Sequence, residues 1–180
     1  MRVITGKARG ASLASLPGEA TRPTGAKVKE GIFSALQFEM EGARVFDMFA
    51  GTGQMGIEAL SRGAASCVFA DSSREAADVI RSNLMKTRLS DEAEVFRGDA
   101  FVRAARFAQG SLDIVFVDPP YRKGLALRAL EALDGKVSPG GCVVVECSVE
   151  EELPETVGGL SAARSYRYSS VAVTVYRADR

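Results

Sequence analysis

Histidine and tryptophan are both missing from the 180 residues. Without an imidazole, no Ser/His or Cys/His nucleophile pair and no histidine-ligated metal can be assembled, which excludes those hydrolytic and metal mechanisms. Cysteine is scarce: Cys67, Cys142 and Cys147 form no CxxC pair, which removes zinc ribbons and thioredoxin-like motifs, and no metal site is expected. Isolated thiols beside valine and phenylalanine read as small buried apolar groups of a reducing compartment, so the expected location is the cytoplasm. Long apolar runs are lacking too, so neither a membrane span nor a signal peptide is expected. Nor is one sign of charge in excess: 23 Lys+Arg balance 23 Asp+Glu, which excludes a generally basic nucleic-acid coat or an acidic tail.

That balance is uneven along the chain. The first 30 residues carry Arg2, Lys7, Arg9, Arg22, Lys27 and Lys29 against Glu19 and Glu30, a local charge of +4, which leaves −4 for the remainder. The length and the 46% hydrophobic content suit a single domain over 1–180 with a substantial core. Residues 1–23, punctuated by Gly6, Gly10, Pro17, Gly18 and Pro23, read as a basic N-terminal arm outside that core. Val28, Ile32, Leu36 and Met40, with Phe33 beside them, then mark the apolar stripe of a helix over 24–40, with Lys27 and Lys29 off the stripe.

Beyond it the elements alternate. Strands are expected at 44–49, 67–71, 94–97, 112–117 and 142–147, and helices at 54–62, 73–88, 100–108 and 125–134. Ser72 and Glu75 have the spacing of a capping box for the second of these helices. Short β-branched strands alternating with helices predict a doubly wound, mostly parallel sheet covered on both faces, with ligands outside the strands' carboxyl ends. Two further strands at 162–168 and 171–177, joined by Ser169-Ser170, predict a C-terminal antiparallel hairpin, giving seven strands in a mixed sheet.

Two motifs fall at strand ends. In FDMFAGTGQMG (46–56), Gly51, Gly53 and Gly56 satisfy GxGxxG between a strand and a helix, and Asp71 closes the next strand twenty residues after Gly51. A dinucleotide site would pass these tests. Asp47 argues otherwise, because a carboxylate there is awkward beside a pyrophosphate and suits a cationic ligand such as the amine of S-adenosylmethionine. Asp71 alone reads equally well as a helix cap or as a ligand for ribose hydroxyls.

Asp118-Pro119-Pro120-Tyr121, directly after the apolar run LDIVFV, is more specific. The prolines stiffen the turn and leave their carbonyls free to accept, so the Asp118 carboxylate and the Pro119 carbonyl can hold an exocyclic NH2. A ring-conjugated amine is a poor nucleophile; acceptors that strengthen as its nitrogen pyramidalises favour the transition state over the ground state. Tyr121 would stack on a flipped base carrying that amine. Phe46, Phe49 and Phe69 read as core, with Phe101 and Tyr121 set apart as site aromatics.

Together, FDMFAGTG, Asp71, Gly98-Asp99-Ala100 and DPPY resemble class I S-adenosylmethionine-dependent amino methyltransferases, whose fold is Rossmann-like. More narrowly, TGKARG (5–10), TRPT (21–24), KVKEGIF (27–33), GIEALSRGA (56–64) and FVDPPYRKG (116–124) resemble the RsmD family, over nearly the whole chain. The resemblance implies methylation of the exocyclic N2 of a guanine in small-subunit (16S) ribosomal RNA, in free RNA or an assembling subunit, by a monomer. It assigns the cofactor S-adenosylmethionine to Asp47, Phe49, Ala50, Gly51, Thr52, Gly53 and Gly56, to Asp71 and Ser72 at the ribose, and to Gly98, Asp99 and Ala100 at the adenine. It gives Asp118, Pro119, Pro120 and Tyr121 the target guanine, and Arg22 to Thr24 a place over the site. Departures are the missing second acidic residue in Asp71-Ser72-Ser73, Ser169 where glycine is common, and Ala8 and Ala26 in place of larger polar residues.

The basic arm is either a solvated face or an RNA contact surface. In the second case Arg2, Lys7, Arg9, Arg22, Thr24, Lys27 and Lys29, with Arg122 and Lys123 beside the site, meet phosphates. A DNA adenine-N6 methyltransferase would share DPPY but lacks a visible target-recognition domain here. A nicotinamide enzyme leaves DPPY unexplained, and a silent RNA-binding assembly protein leaves it unused.

Overall fold

Runs such as Val143-Val144-Val145 and Ile114-Val115-Phe116 are apolar on both faces, so they fold as strands only where helices cover both sides of a sheet. A computed structural model of the chain, describing residues 1–16, 23–121 and 123–179, has that arrangement. In chain order its elements are α1 (Pro23–Ala35), β1 (Arg44–Met48), α2 (Gln54–Ser61), β2 (Ser66–Asp71), α3 (Arg74–Thr87), β3 (Ala93–Arg97), α4 (Ala100–Ala105), β4 (Leu112–Val117) and α5 (Leu125–Leu133). There follow β5 (Val137–Ser148), β6 (Thr156–Val157), β7 (Leu160–Tyr168) and β8 (Val171–Ala178).

The strands form one sheet in the order β3-β2-β1-β4-β5-β8-β7-β6. The first five are parallel, and β8, β7 and β6 run antiparallel to their neighbours. The sheet is therefore mixed as expected, but has eight strands where seven were expected. The extra one, β6, is two residues long at the edge, too short to leave a periodic signal. One core layer joins Val28, Ile57 and Ile80 of α1, α2 and α3 to Val144 and Val173 of the sheet; the other joins Ala104 and Leu130 of α4 and α5 to Val115 and Val145.

Several boundaries differ from expectation. α1 ends at Ala35, and turns carry the chain through 36–39; Leu36 and Met40 still bury, so the stripe was real although the helix is shorter. β5 begins at Val137, with an irregularity where Leu112 pairs with Val137 and Ile114 with Cys142. The intervening Pro139-Gly140-Gly141 disguised this strand, because those residues ordinarily mark turns or bulges. α3 is capped by Ser73, whose Oγ accepts from the Ala76 N–H at 3.3 Å; the cap lies one residue beyond the expected Ser72. The three cysteines are buried free thiols, as expected.

The largest correction concerns residues 1–16, which are part of the core. Val3 and Leu13 are buried, and the segment folds on itself through Val3 N–H to the Ala11 carbonyl and Leu13 N–H to the Met1 carbonyl. It docks on α2: the buried Glu58 carboxylate accepts from the N–H groups of Ile4 (2.8 Å) and Thr5 (3.0 Å), and Ser61 Oγ accepts from the Ala8 N–H (2.9 Å). Gly6, at φ +89°, lies so close to the Ser61 carbonyl that a Cβ would overlap it.

Candidate active site

The parallel sheet reverses its winding between β1 and β4, since β1 leads outward to β2 and β4 leads the other way to β5. The loops leaving these two strands diverge there and open a crevice at their carboxyl ends. The glycine loop follows β1 and the DPPY turn follows β4.

The glycine loop is a strained, well-braced turn. Phe49 (φ 66°), Gly51 (φ 56°) and Gly53 (φ 77°) all have left-handed backbone, and Gly53 caps α2. The Ala50 N–H bonds the Ala70 carbonyl at 2.9 Å and the Gly53 N–H bonds the Ala50 carbonyl at 2.7 Å. A Cβ on Gly51 would meet nothing within 4 Å, so ligand atoms can approach the backbone there. A Cβ on Gly56 would meet Cys67 Sγ at 2.6 Å and the Phe69 ring, so that glycine serves close helix-to-strand packing. Thr52 is buried.

Asp47 lies beneath this loop, 4% exposed, and its Oδ2 accepts the Gly56 N–H at 2.9 Å. Burial, with the Asp71 charge adding to it, pushes its carboxyl up to about 7. The geometry makes Asp47 a brace of the loop. Asp71 accepts from the Gly51 N–H (2.9 Å, Oδ2) and the Ser73 N–H (2.9 Å, Oδ1), tying the ends of β1 and β2 together. Ser72 is exposed beside it. The Gly98 N–H bonds the Asp71 carbonyl at 2.9 Å, which places Gly98, the exposed Asp99 and the buried Ala100 along the same crest. Asp99 caps α4 by accepting from the Phe101 N–H at 2.7 Å. Phe49 and Phe101 meet edge to face at 5.8 Å, and the Arg128 guanidinium lies 3.9 Å from the Phe101 ring centre.

Across the crevice, Asp118 is exposed, Pro119 is buried, Pro120 is exposed and Tyr121 is half-buried against the core. The Tyr121 hydroxyl donates to Glu146 Oε1 at 2.7 Å, at the carboxyl end of β5. Glu146 and Arg128 were not singled out from sequence; neither belongs to a motif, and both arrive through pairing of distant elements.

The expected RNA-contact residues divide. Arg2, Lys7, Arg9, Lys27 and Lys123 are exposed; Lys7 lies 3.5 Å from Glu92. Lys29 is a correction. It is 4% exposed and its Nζ lies 3.1 Å from Glu58 Oε2, so its charge faces the interior and meets no phosphate. Arg22, Arg122 and the side chain of Thr24 lie outside the described residues. Among the described residues no group of His, Cys, Asp and Glu could hold a metal ion, and no helix is long and apolar enough to cross a membrane.

Known proteins share this arrangement. The family model described as Conserved hypothetical protein 95 matches residues 1–177. The chain belongs to that family, the RsmD family. The RsmD resemblance of the sequence is thereby confirmed along almost its full length. YlbH of Bacillus subtilis (strain 168) is 40% identical over 181 residues, 98% of both chains. The ribosomal RNA small subunit methyltransferase D of Escherichia coli (strain K12) is 32% identical over 181 residues, 99% of this chain and 90% of that one. The solved structure of yhhF from Escherichia coli superposes with a TM-score of 0.89 at 32% identity, covering 99% of this chain and 98% of that one. An RNA methyltransferase from Salinibacter ruber, solved in complex with S-adenosyl-L-homocysteine, has the same fold at 17% identity, with a TM-score of 0.67 over 88% of this chain and 95% of that one. The fold is that of the class I S-adenosylmethionine-dependent methyltransferases.

Proposed function

We propose that this RsmD-family chain is an S-adenosylmethionine-dependent ribosomal RNA methyltransferase, acting on the exocyclic N2 of a guanine in small-subunit RNA. The observation that carries the reading is the DPPY turn facing a glycine loop across the β1/β4 switch point. The relatives' names support the substrate class: the Escherichia coli and Haemophilus influenzae relatives are each named ribosomal RNA small subunit methyltransferase D.

The residues present fit the cofactor. Gly51 leaves its backbone open to close approach, Asp71 and Asp99 stand at successive strand ends where ribose and adenine would lie, and Phe49 and Phe101 supply an apolar wall. Bound there, the cofactor supplies a methyl group on a cationic sulfur, already a strong electrophile. The chain's own work is positioning. Asp71 keeps lone pairs beyond the two N–H bonds it accepts, enough for ribose hydroxyls. The Asp118 carboxylate and the Pro119 carbonyl hold the amine hydrogens so that the nitrogen lone pair points toward β1, and they stabilise the positive charge that grows on that nitrogen. Tyr121, its hydroxyl anchored on Glu146, offers a fixed ring face to the flipped base. Exposed Arg2, Lys7, Arg9, Lys27 and Lys123 meet the RNA backbone. Ribosomal RNA as substrate supports a cytoplasmic location.

Asp118→Ala tests the assignment. Turnover should be abolished while cofactor affinity changes less than a few-fold. A variant with near-normal turnover would remove Asp118 from the amine-holding role.

A further inference from the structure

We propose that Glu146 is a specificity-determining residue, its carboxylate accepting the N1–H of the target guanine while Asp118 and Pro119 hold the neighbouring N2 amine. This rests on the function proposed above.

Three observations lead to it. First, β1, β4 and β5 are consecutive in the sheet, so the glycine loop, Asp118 and Glu146 follow one another along the crest. With the cofactor on the glycine loop, as proposed above, the methyl donor would lie on the β1 side of Asp118. An amine held at Asp118 with its lone pair toward β1 must carry the rest of its base on the opposite side, over the end of β5.

Second, Glu146 faces that space. β4 and β5 are in register with Val117 opposite Val145, so Asp118 and Glu146 are the next residues on two strands about 5 Å apart. Along β5, Cys142 and Val144 face the core layer of α1, whereas Val143, Val145 and Cys147 face the other layer. Glu146 continues the first series, the side on which Tyr121 packs.

Third, Tyr121 fixes where the carboxylate is relative to the base. Glu146 Oε1 sits 2.7 Å from the Tyr121 hydroxyl, at the rim of the ring on which the base would stack. A stacked base lies about 3.5 Å above that ring, so its edge comes within hydrogen-bond reach of a carboxylate at the rim. Guanine presents N1–H and N2–H2 side by side on that edge, both donors, and a carboxylate only accepts. Adenine presents an unprotonated N1 beside its amine and would set a lone pair against the negative charge. DPPY alone recognises an amine on either base; the second acceptor distinguishes guanine.

The test uses small-subunit RNA ligated from two fragments, with the methylated guanine, located beforehand by mass spectrometry, replaced by 2-aminopurine. That base keeps the 2-amine but has a bare N1. The wild-type protein should methylate guanine RNA at least about a hundredfold better, because a site built to accept a hydrogen rejects the analogue lacking it. In Glu146→Gln the amide can donate to a bare N1, so the guanine preference should fall tenfold or more, with cofactor affinity and melting temperature unchanged. Tyr121→Phe, which removes the hydroxyl bond but leaves the carboxylate, should slow both substrates and keep the preference.

An unchanged preference in Glu146→Gln would overturn the proposal, as would a Tyr121→Phe variant that loses the preference equally, since Glu146 would then act only by holding Tyr121. If the wild-type protein methylated no guanine at all, the underlying function would fail together with this assignment.

Discussion

Asn83 holds the carbonyl of Thr52 through its Nδ2 at 3.0 Å, joining the middle of α3 to the glycine loop. The same side chain, 1% exposed, clasps Ala14 from both sides, accepting from its N–H at 2.7 Å and donating to its carbonyl at 3.1 Å. One amide therefore links the N-terminal segment, the third helix and the glycine loop.

Replacing Asn83 with Ala should accordingly affect two properties together. Losing these bonds costs about 2 kcal/mol, since the Thr52 carbonyl is left without its donor. Cofactor affinity should fall several-fold as the loop loosens. Thermal unfolding and calorimetric titration with S-adenosylmethionine check this; an affinity matching the wild type would show that the loop holds its shape without Asn83.

Two lysines two residues apart should behave differently. Lys29→Ala removes the cation beside the buried Glu58 and should destabilise by about 3 kcal/mol, Arg62 at 2.8 Å remaining as the other partner. Lys27→Ala, at an exposed position, should leave stability within about 0.5 kcal/mol. It should instead weaken RNA binding and lower the salt slope by about 1. Denaturant melts and RNA titrations at graded salt separate the two.

Asp47 should give the protein a pH-dependent stability. Its carboxyl value of about 7 in the folded state lies above the ordinary 3.8, so between those limits the folded protein retains a proton that the unfolded chain has released. The contribution is fully present below about pH 4 and is lost as pH rises through about 7. Asp47→Asn keeps an oxygen to accept the Gly56 N–H and should flatten that part of the profile. Denaturant unfolding across this range reads it directly; identical slopes in the two proteins would contradict the assignment.

Ser169 occupies the hairpin turn between β7 and β8 at φ 56°, a left-handed conformation that costs a non-glycine residue about 1 kcal/mol. Ser169→Gly should raise stability by about 0.5 kcal/mol, less than the relief of strain because the unfolded chain gains freedom. A small rise in melting temperature with unaltered turnover is the expected result.

The parts legible in the sequence are those where local chemistry and fold agree. Apolar runs such as LDIVFV could only be buried strands, and the glycines of the first loop and the DPPY turn sit where such motifs require, after β1 and β4. The N-terminal segment was misread because its punctuation by Gly6 and Gly10 looks like a flexible arm. Val3 and Leu13 bury only because Glu58 and Ser61, more than fifty residues later, satisfy its backbone. Lys29 was misread for the same reason: a lysine off the apolar stripe is exposed unless a buried carboxylate receives it, and Glu58 does. Glu146 and Asn83 carry no motif, and their partners come from pairing that one stretch of sequence does not display.

The central claim, guanine-N2 methylation by this site, is tested most directly by transfer from labelled S-adenosylmethionine to unmodified small-subunit ribosomal RNA, free and as assembled particles, followed by nucleoside analysis. The label should appear as N2-methylguanosine with the wild-type protein and vanish with Asp118→Ala. Label in N6-methyladenosine, or no transfer from a protein that binds the cofactor, would contradict it.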